Sequence, residues 1–295
     1  MWKRRKKRCT MKKYNVNGVE FFDWKGKPYC TINQCGIEAT YPFVKPETEF
    51  PIKAVLMDLD GTTVTSEEFW MYLIEKTIKE ISTPDFCLAE EDIPFVSGFS
   101  TIEHLEYCLN KYKINRSLGE ALETYHRIAR FELNEILEGR GNADAFKPRA
   151  GLKEFLFALK NAGIKIGLVT SGLDYKAVPE ILSAFRVLGM GDPLSFYDAI
   201  ITGGRRKGQG EYGSIGELAS KPHPWIYAEI LSGLGVDKKH AVVIEDSSAG
   251  LLSGRLAGMN VIGFNDGNLI KSGLHEECIL MADTFEEIKE WLKID

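Results

Sequence analysis

The sequence predicts an α/β protein: a parallel sheet covered by helices on both faces, interrupted by an inserted all-helical domain. Two observations carry this prediction. Short apolar runs recur at 54–57, 164–169, 199–201, 241–244 and 261–264, with helical patterns between them. Continuous rather than alternating apolar strands belong to sheets buried on both faces, and strands separated by helices pair in parallel. Between the first and second runs, residues 66–147 show helical periodicity only. At 295 residues with 44% hydrophobic content, the chain has enough apolar surface for one large core, or for one core with a smaller partner.

Taken in order, the chain opens on MWKRRKKRCTMKK, in which eight of 13 residues are basic and none is acidic. Subtracting these eight charges from the net −5 leaves −13 on the remainder. A short basic tail is expected to stay solvated, and an acidic body argues against a protein that coats nucleic acid, since such binding requires a basic surface. No apolar run approaches the roughly 20 residues of a membrane span, and no apolar stretch follows the basic residues to make a secretory signal. No nucleic-acid partner, no membrane and a cytoplasmic location are therefore expected. The six cysteines form no CxxC pair and read as reduced thiols, with Cys30 and Cys35 near enough to raise a bridge or a metal.

Residues 14–50 mix aromatic and β-branched residues with turn signals at Asn17-Gly18, Lys25-Gly26 and Pro42, which predicts short strands and hairpins forming an edge ribbon on the main body. The predicted organisation is a basic tail and β-rich extension over 1–50, an α/β core over 51–65 and 148–295, and a helical insert over 66–147. In the insert, Ser66 is placed to cap a helix with a stripe of Phe69, Trp70, Leu73, Ile74, Ile78 and Ile81. Thr101 is placed to cap a second with Ile102, Leu105 and Leu109. A third runs from Ser117 through Leu118, Ala121, Leu122, Tyr125, Ile128 and Ile136. Thr284-Phe285-Glu286-Glu287 signals a last helix by its capping box. An insert directly after the first strand lies over the carboxyl end of the sheet, where open α/β folds bind ligands.

The chemistry lies at strand ends. Asp58-Leu59-Asp60-Gly61-Thr62-Thr63 stands at the end of the first apolar strand. Two carboxylates two residues apart, with a glycine turn behind them, let one attack while the other transfers protons. Asp and Gly also favour plain turns, so the pair gains weight from its ordered partners downstream. Thr170-Ser171-Gly172 after the second strand presents a hydroxyl and backbone N–H groups suited to a phosphoryl oxygen, though the same residues would serve as a helix cap. Lys221-Pro222 opens the helix carrying Trp225, Ile226, Ile230 and Leu231, which brings an ammonium to the same end of the sheet. Glu245-Asp246 closes the fourth strand; paired acids repel and raise each other's pKa, a cost that a divalent cation removes, and oxygen-only ligands select magnesium.

The ordered set Asp58/Asp60, Thr170, Lys221 and Glu245-Asp246 resembles the four motifs of the haloacid dehalogenase superfamily, over about residue 52 to the C-terminus. The helices after the first motif are similar to the cap of the subfamily containing phosphoglycolate phosphatases and β-phosphoglucomutases. The resemblance implies a Rossmann-like core with strand order 5-4-1-2-3 and assigns roles. Asp58 would be the nucleophile and a metal ligand. Asp60 would be the general acid/base, binding metal through its carbonyl. Thr170, with Ser171 and Gly172, would hold the phosphoryl group. Lys221 would neutralise nucleophile and phosphate, and Asp246, helped by Glu245, would complete a Mg2+ site.

An acid at Asp60 disfavours the dehalogenases and phosphonatases, which lack one there. Gly98-Phe99-Ser100-Thr101 resembles the G-x-S segment of β-phosphoglucomutases, but Thr101 replaces the arginine that follows the serine. Trp70 stands where those mutases place a histidine, and Thr65 replaces the usual aspartate before Ser66. Without the arginine a second phosphate has no obvious holder, so the expected function is a phosphomonoester phosphatase acting on a small phosphorylated metabolite, with a sugar phosphomutase as the alternative. A binding protein that keeps the fold without turnover is a third reading, opposed by the intact acid, hydroxyl, lysine and acid set. His104 is expected to be a surface or satisfied histidine rather than a substrate ligand, and Arg149 a structural ion pair rather than a substrate contact. The glycine-rich stretch 203–220 reads as a surface loop, or as a lid using Arg205, Arg206 or Lys207.

Overall fold

The computed structural model describes residues 14–16, 18–34, 37–89, 92, 101–203 and 220–295. The turn residue Asn17, Cys9 and Cys35, the segment 98–100, and Arg205, Arg206 and Lys207 lie outside these.

The chain begins with an antiparallel meander of β1 (Tyr14–Val16), β2 (Val19–Trp24), β3 (Lys27–Gln34) and β4 (Ile37–Pro42). Lys25 and Gly26 both have positive φ in the two-residue turn between β2 and β3, the conformation that matches strand twist in a tight hairpin. Alternation along the strands puts Val19, Phe21, Cys30 and Ile32 on one buried face. With Phe43, these residues pack against the helices Trp225–Leu234 and Ser248–Leu256. The meander therefore covers the helical layer and pairs with no strand of the main sheet, rather than extending an edge as the sequence suggested.

Next come β5 (Ala54–Asp58), β6 (Val64–Thr65), the helical insert, β7 (Lys147–Pro148), β8 (Lys165–Val169), β9 (Ala199–Ile201), β10 (Ala241–Glu245), β11 (Asn260–Phe264) and β12 (Leu280–Ala282). The main sheet has six strands in the order β12-β11-β10-β5-β8-β9, and all its pairings are parallel. Five of these follow the order implied by the resemblance. The sixth, β12, is a three-residue, half-exposed edge strand, too short and too little buried to show in the hydropathy pattern. Because the strands are parallel, with Asp58 opposite Val169 and Met57 opposite Ile244, the carboxyl ends of β8, β5 and β10 meet along one edge.

The insert consists of helices Glu67–Ile81, Thr101–Lys111 and Leu118–Leu137. Its entry and exit are tied by the β6–β7 ribbon, which pairs Val64 with Pro148 and Thr65 with Lys147. Leu73, Ile74, Ile78, Leu105, Cys108, Ala121, Tyr125 and Ile128 share one core. The predicted stripes hold with one exception: Ile102, in the first turn of its helix and at the margin of the face carrying Leu105, Cys108 and Leu109, is 50% exposed. Ser117 forms the capping box with Glu120. Thr101 is the first residue of its helix rather than its cap. Thr284 caps the last helix, Phe285–Leu292, by accepting from the Glu287 N–H.

Candidate active site

Asp58 ends the fully buried strand β5, so its carboxylate emerges at the sheet edge while its backbone stays in register with β8 and β10. The chain then turns through Gly61 at φ +85°, where an added Cβ would come within 2.4 Å of Asp246 Oδ2. Only glycine combines that backbone with that approach. Thr63 donates to the Asp58 carbonyl. Arg149 donates to the carbonyls of Gly61 and, at 3.1 Å, Thr62. Arg149 also pairs with Asp266 at 2.9 Å, so the expected ion pair serves to hold the loop bearing both acids.

The Lys221 ammonium is buried between two carboxylates, contacting Asp58 Oδ1 and, at 2.6 Å, Glu245 Oε1. It lies in a turn before the helix that starts at Trp225, not in that helix. The Lys221 N–H donates to Ser171 Oγ at 3.2 Å, which fixes this turn to the end of β8. Glu245 is completely buried and also accepts from Tyr227 at 2.7 Å and Ser247 Oγ at 3.0 Å. An added Cβ at Gly250 would overlap its carboxylate at 1.8 Å, so the helix after β10 comes close enough to seal it. Asp246 accepts from Thr62 Oγ1 at 3.2 Å.

Burial pushes the Asp58 carboxyl well above its usual range; the charge of Glu245 adds to this and the ammonium of Lys221 opposes it. Burial and Glu245 likewise push Asp246 up to about 7. Lys221 goes the other way: burial alone would lower it, but Asp58 and Glu245 raise it above the ordinary lysine value, so it stays charged. One carboxylate oxygen from each of Asp58, Glu245 and Asp246 lies within 4.8 Å of the others. Three close, mutually repelling carboxylates, two of them buried and Asp246 partly exposed, with one ammonium among them form an oxygen-only donor set with charge to spare, which fits a hard divalent cation. Glu245 is the least free of the three, because its oxygens are already used by Lys221, Tyr227 and Ser247.

Asp60 points away from that cluster. Its Oδ1 accepts from Ser66 Oγ at 2.8 Å and Trp70 Nε1 at 2.9 Å, and its Oδ2 lies 3.5 Å from Thr170 Oγ1. This corrects two sequence expectations. Ser66 makes no side-chain cap bond, and its hydroxyl is turned to donate to Asp60 instead. Trp70, expected only as part of an apolar stripe, is half-buried and spends its N–H on the acid. Thr170 Oγ1 accepts from the Gly172 N–H at 2.9 Å, so the hydroxyl is oriented by the turn behind it. The completely buried Glu180, on the helix Asp174–Val187, has its carboxyl raised by burial and by neighbouring Asp60. Among the described residues its Oε1 has no hydrogen-bond partner.

The structure thus brings Asp58, Asp60, Thr170, Ser171, Gly172, Lys221, Glu245 and Asp246 to one sheet edge. Ser66, Trp70, Tyr227, Thr62 and Glu180 are site residues that sequence reasoning missed. Of these only Trp70 carried a signal, as a departure from the mutase pattern.

Comparison with known proteins agrees with this arrangement. Residues 52–258 match the family model for haloacid dehalogenase-like hydrolases. Hexitol phosphatase A of Escherichia coli is 27% identical over 72% of this chain and 83% of its own. The β-phosphoglucomutase of Bacillus subtilis is 28% identical over 73% of this chain and 84% of its own. Among solved structures, a HAD family IA hydrolase from Entamoeba histolytica superposes with a TM-score of 0.62 at 22% identity, covering 82% of this chain and 98% of that one. The family match begins after the N-terminal meander, and no helix among the described residues is long and apolar enough to cross a membrane.

Proposed function

The chain belongs to the haloacid dehalogenase-like hydrolases and is a phosphatase of that family; from this premise we propose that it is a Mg2+-dependent phosphomonoesterase that works through an aspartyl-phosphate, an acyl phosphate formed on Asp58. Asp58, Asp246 and Glu245, with the Asp60 carbonyl, would hold the metal, which when bound supplies positive charge to the nucleophile and the phosphoryl oxygens. The observation that carries the reading is the ammonium of Lys221 held between Asp58 and Glu245. A carboxylate attacks a phosphate dianion only when the repulsion between them is masked, and Lys221 is placed to do this for the attacking oxygen and the transferred group alike.

Asp58 attacks phosphorus, and the bond to the leaving alcohol breaks as Asp60 protonates its oxygen. Asp60 then takes a proton from the water that hydrolyses the acyl phosphate on Asp58, returning phosphate and the free carboxylate. Ser66 and Trp70 hold Asp60 in place through both steps. Thr170 Oγ1 and the Ser171 N–H would cradle the phosphoryl oxygens, with the Gly172 N–H orienting the Thr170 hydroxyl. The substrate class is a small phosphorylated metabolite, supported by relatives named for hexitol phosphate hydrolysis and for glucose phosphate isomerisation. The second of these relatives supports a sugar phosphomutase as the alternative reading. A cytoplasmic location suits such a substrate.

The test is a Mg2+-dependent phosphate-release screen over phosphorylated metabolites with the wild type and Asp58→Asn. The expected result is release that needs the metal and vanishes in the variant. Release surviving in Asp58→Asn refutes the nucleophile, and interconversion of sugar phosphates without free phosphate establishes the mutase.

A further inference from the structure

Two loops must keep their spacing for the carboxylate cluster to exist: the one after β5, which carries Asp58 and Asp60, and the one after β10, which carries Asp246. Their direct tie, from Thr62 Oγ1 to Asp246 Oδ1, is long at 3.2 Å. A second tie runs around the outside through Arg149, which directly follows β7, the exit strand of the insert. The Arg149 backbone N–H donates to the Thr63 carbonyl at 3.0 Å, its Nε to the Thr62 carbonyl at 3.1 Å, and its Nη2 to the Gly61 carbonyl. Successive carbonyls of the first loop therefore end on one residue. The guanidinium also meets both oxygens of Asp266, at 2.9 and 3.0 Å, and lies 3.9 Å from the Phe264 ring centroid. A planar fork stacked on a ring and paired through two parallel bonds is fixed in direction as well as in distance.

Asp266 belongs to the short loop after β11, and that loop grips Asp246. The Asn268 N–H donates to the Asp246 carbonyl at 3.0 Å, and Asn268 Oδ1 accepts from the Ser248 N–H at 2.7 Å. A Cβ added to Gly267 would lie 1.9 Å from the Asp246 carbonyl oxygen, so backbone packs directly on backbone there. The Asp266 side chain is 63% exposed, and an exposed ion pair adds little to stability by itself. Its charge does not explain Arg149 either. Burial and Glu245 raise the Asp246 carboxyl, while Thr62, Lys221 and Arg149 oppose the rise; a guanidinium close enough to act on Asp246 repels a divalent cation on the same carboxylate. What the pair contributes is a continuous link from the carbonyls of Gly61, Thr62 and Thr63 to the backbone of Asp246.

We propose that Arg149 and Asp266 form an outer clamp that sets the spacing of Asp246 from Asp58 and the Asp60 carbonyl, and are thereby positioning residues of the Mg2+ site. The proposal rests on the metal-dependent reading above and extends it to two residues outside the carboxylate cluster. Because Arg149 also roots the exit strand of the insert on the same loop, the clamp holds the metal site at the foot of the hinge.

The test is the Mg2+ dissociation constant of the substrate-free protein, read from the rise of Tm across a Mg2+ titration at constant ionic strength. The chains compared are the wild type, Arg149→Met, Arg149→Lys, Asp266→Asn and the double variant Arg149→Met/Asp266→Asn. Arg149→Met and Asp266→Asn should each raise the constant about tenfold or more, as for other residues that orient metal ligands. The double variant should bind no worse than its weaker-binding parent, because either change opens the same clamp. Charge alone predicts the opposite sign for Arg149→Met, since removing a cation beside the site would tighten Mg2+. Arg149→Lys keeps the charge but loses the fork, so it should bind Mg2+ about as weakly as Arg149→Met. If Arg149→Met does not fold, Arg149→Lys and the exposed Asp266→Asn carry the decision. A merely structural loss lowers the starting Tm and leaves the constant as it is. An unchanged or smaller constant in Arg149→Met, wild-type affinity in Arg149→Lys or Asp266→Asn, or additive losses in the double variant overturn the clamp while leaving the metal site standing. A wild type whose Tm does not respond to Mg2+ overturns the metal-dependent reading and this inference with it.

Discussion

Replacing Lys221 by Met tests the electrostatics of the site directly. Met matches the length of the lysine stem but removes the one cation, among the described residues, bonded to Asp58 and Glu245, whose side chains are 10% and 0% exposed. Removing one partner of a buried ion pair typically costs about 3–5 kcal/mol, because the other charge is left uncompensated. Glu245 keeps its bonds to Tyr227 and Ser247, so the low end, about 3 kcal/mol, is expected, equivalent to roughly 5–10 °C in Tm for a chain of this size. The assay is urea unfolding at pH 7 in EDTA, repeated in millimolar Mg2+. The metal binds only the folded state and offers positive charge to the same carboxylates, so it should restore part of the loss while phosphate release stays abolished. A loss below about 1 kcal/mol, or one that Mg2+ leaves unchanged, would refute the claim that these carboxylates are held together by Lys221 and share a metal.

Three further outcomes are expected. Asp246, raised to about 7 against an ordinary 3.8, keeps a proton in the metal-free fold that the unfolded chain has already lost. Metal-free stability should therefore fall as pH rises from about 4 to 7, and the Tm increase caused by Mg2+ should grow from pH 5 to 8, which thermal melts check and a pH-independent increase would contradict. Trp70→Phe keeps the ring but loses the N–H to Asp60, and should lower kcat about tenfold with little change in KM, as steady-state kinetics would show. Tyr41→Phe removes the 2.9 Å bond to His223, close to Lys221, and should cost about 1 kcal/mol in urea unfolding while sparing most activity.

How much the sequence revealed depended on how local the signal was. Asp58 and Glu245-Asp246 were legible because each ends a run of apolar residues, and a parallel sheet brings such run ends to a single edge. Thr170 and Lys221 were legible only through their order along the chain, since a threonine before a helix and a lysine in a turn have commoner uses. Ser66 looked like a cap because capping is its usual local role; the carboxylate to which its hydroxyl donates, Asp60, is six residues away around the Gly61 turn. Tyr227 and Glu180 lie on helices whose rotation about their axes is set by packing, so nothing in their own segments pointed to the site. Ile102 and β12 were misjudged or missed because one sits at the margin of its apolar face and the other is three residues at an edge.

The central claim is that phosphate passes through Asp58, and the most direct measurement is to trap it there. Asp60→Asn keeps the nucleophile but can neither protonate a leaving alcohol nor activate the hydrolytic water, so this variant, mixed with Mg2+ and p-nitrophenyl phosphate, whose leaving group departs without a proton, and quenched in acid, should retain phosphate on the peptide containing Asp58, labile to hydroxylamine. Phosphate on another residue, or turnover by the wild type with no phosphate trapped on Asp58 in the variant, would contradict it.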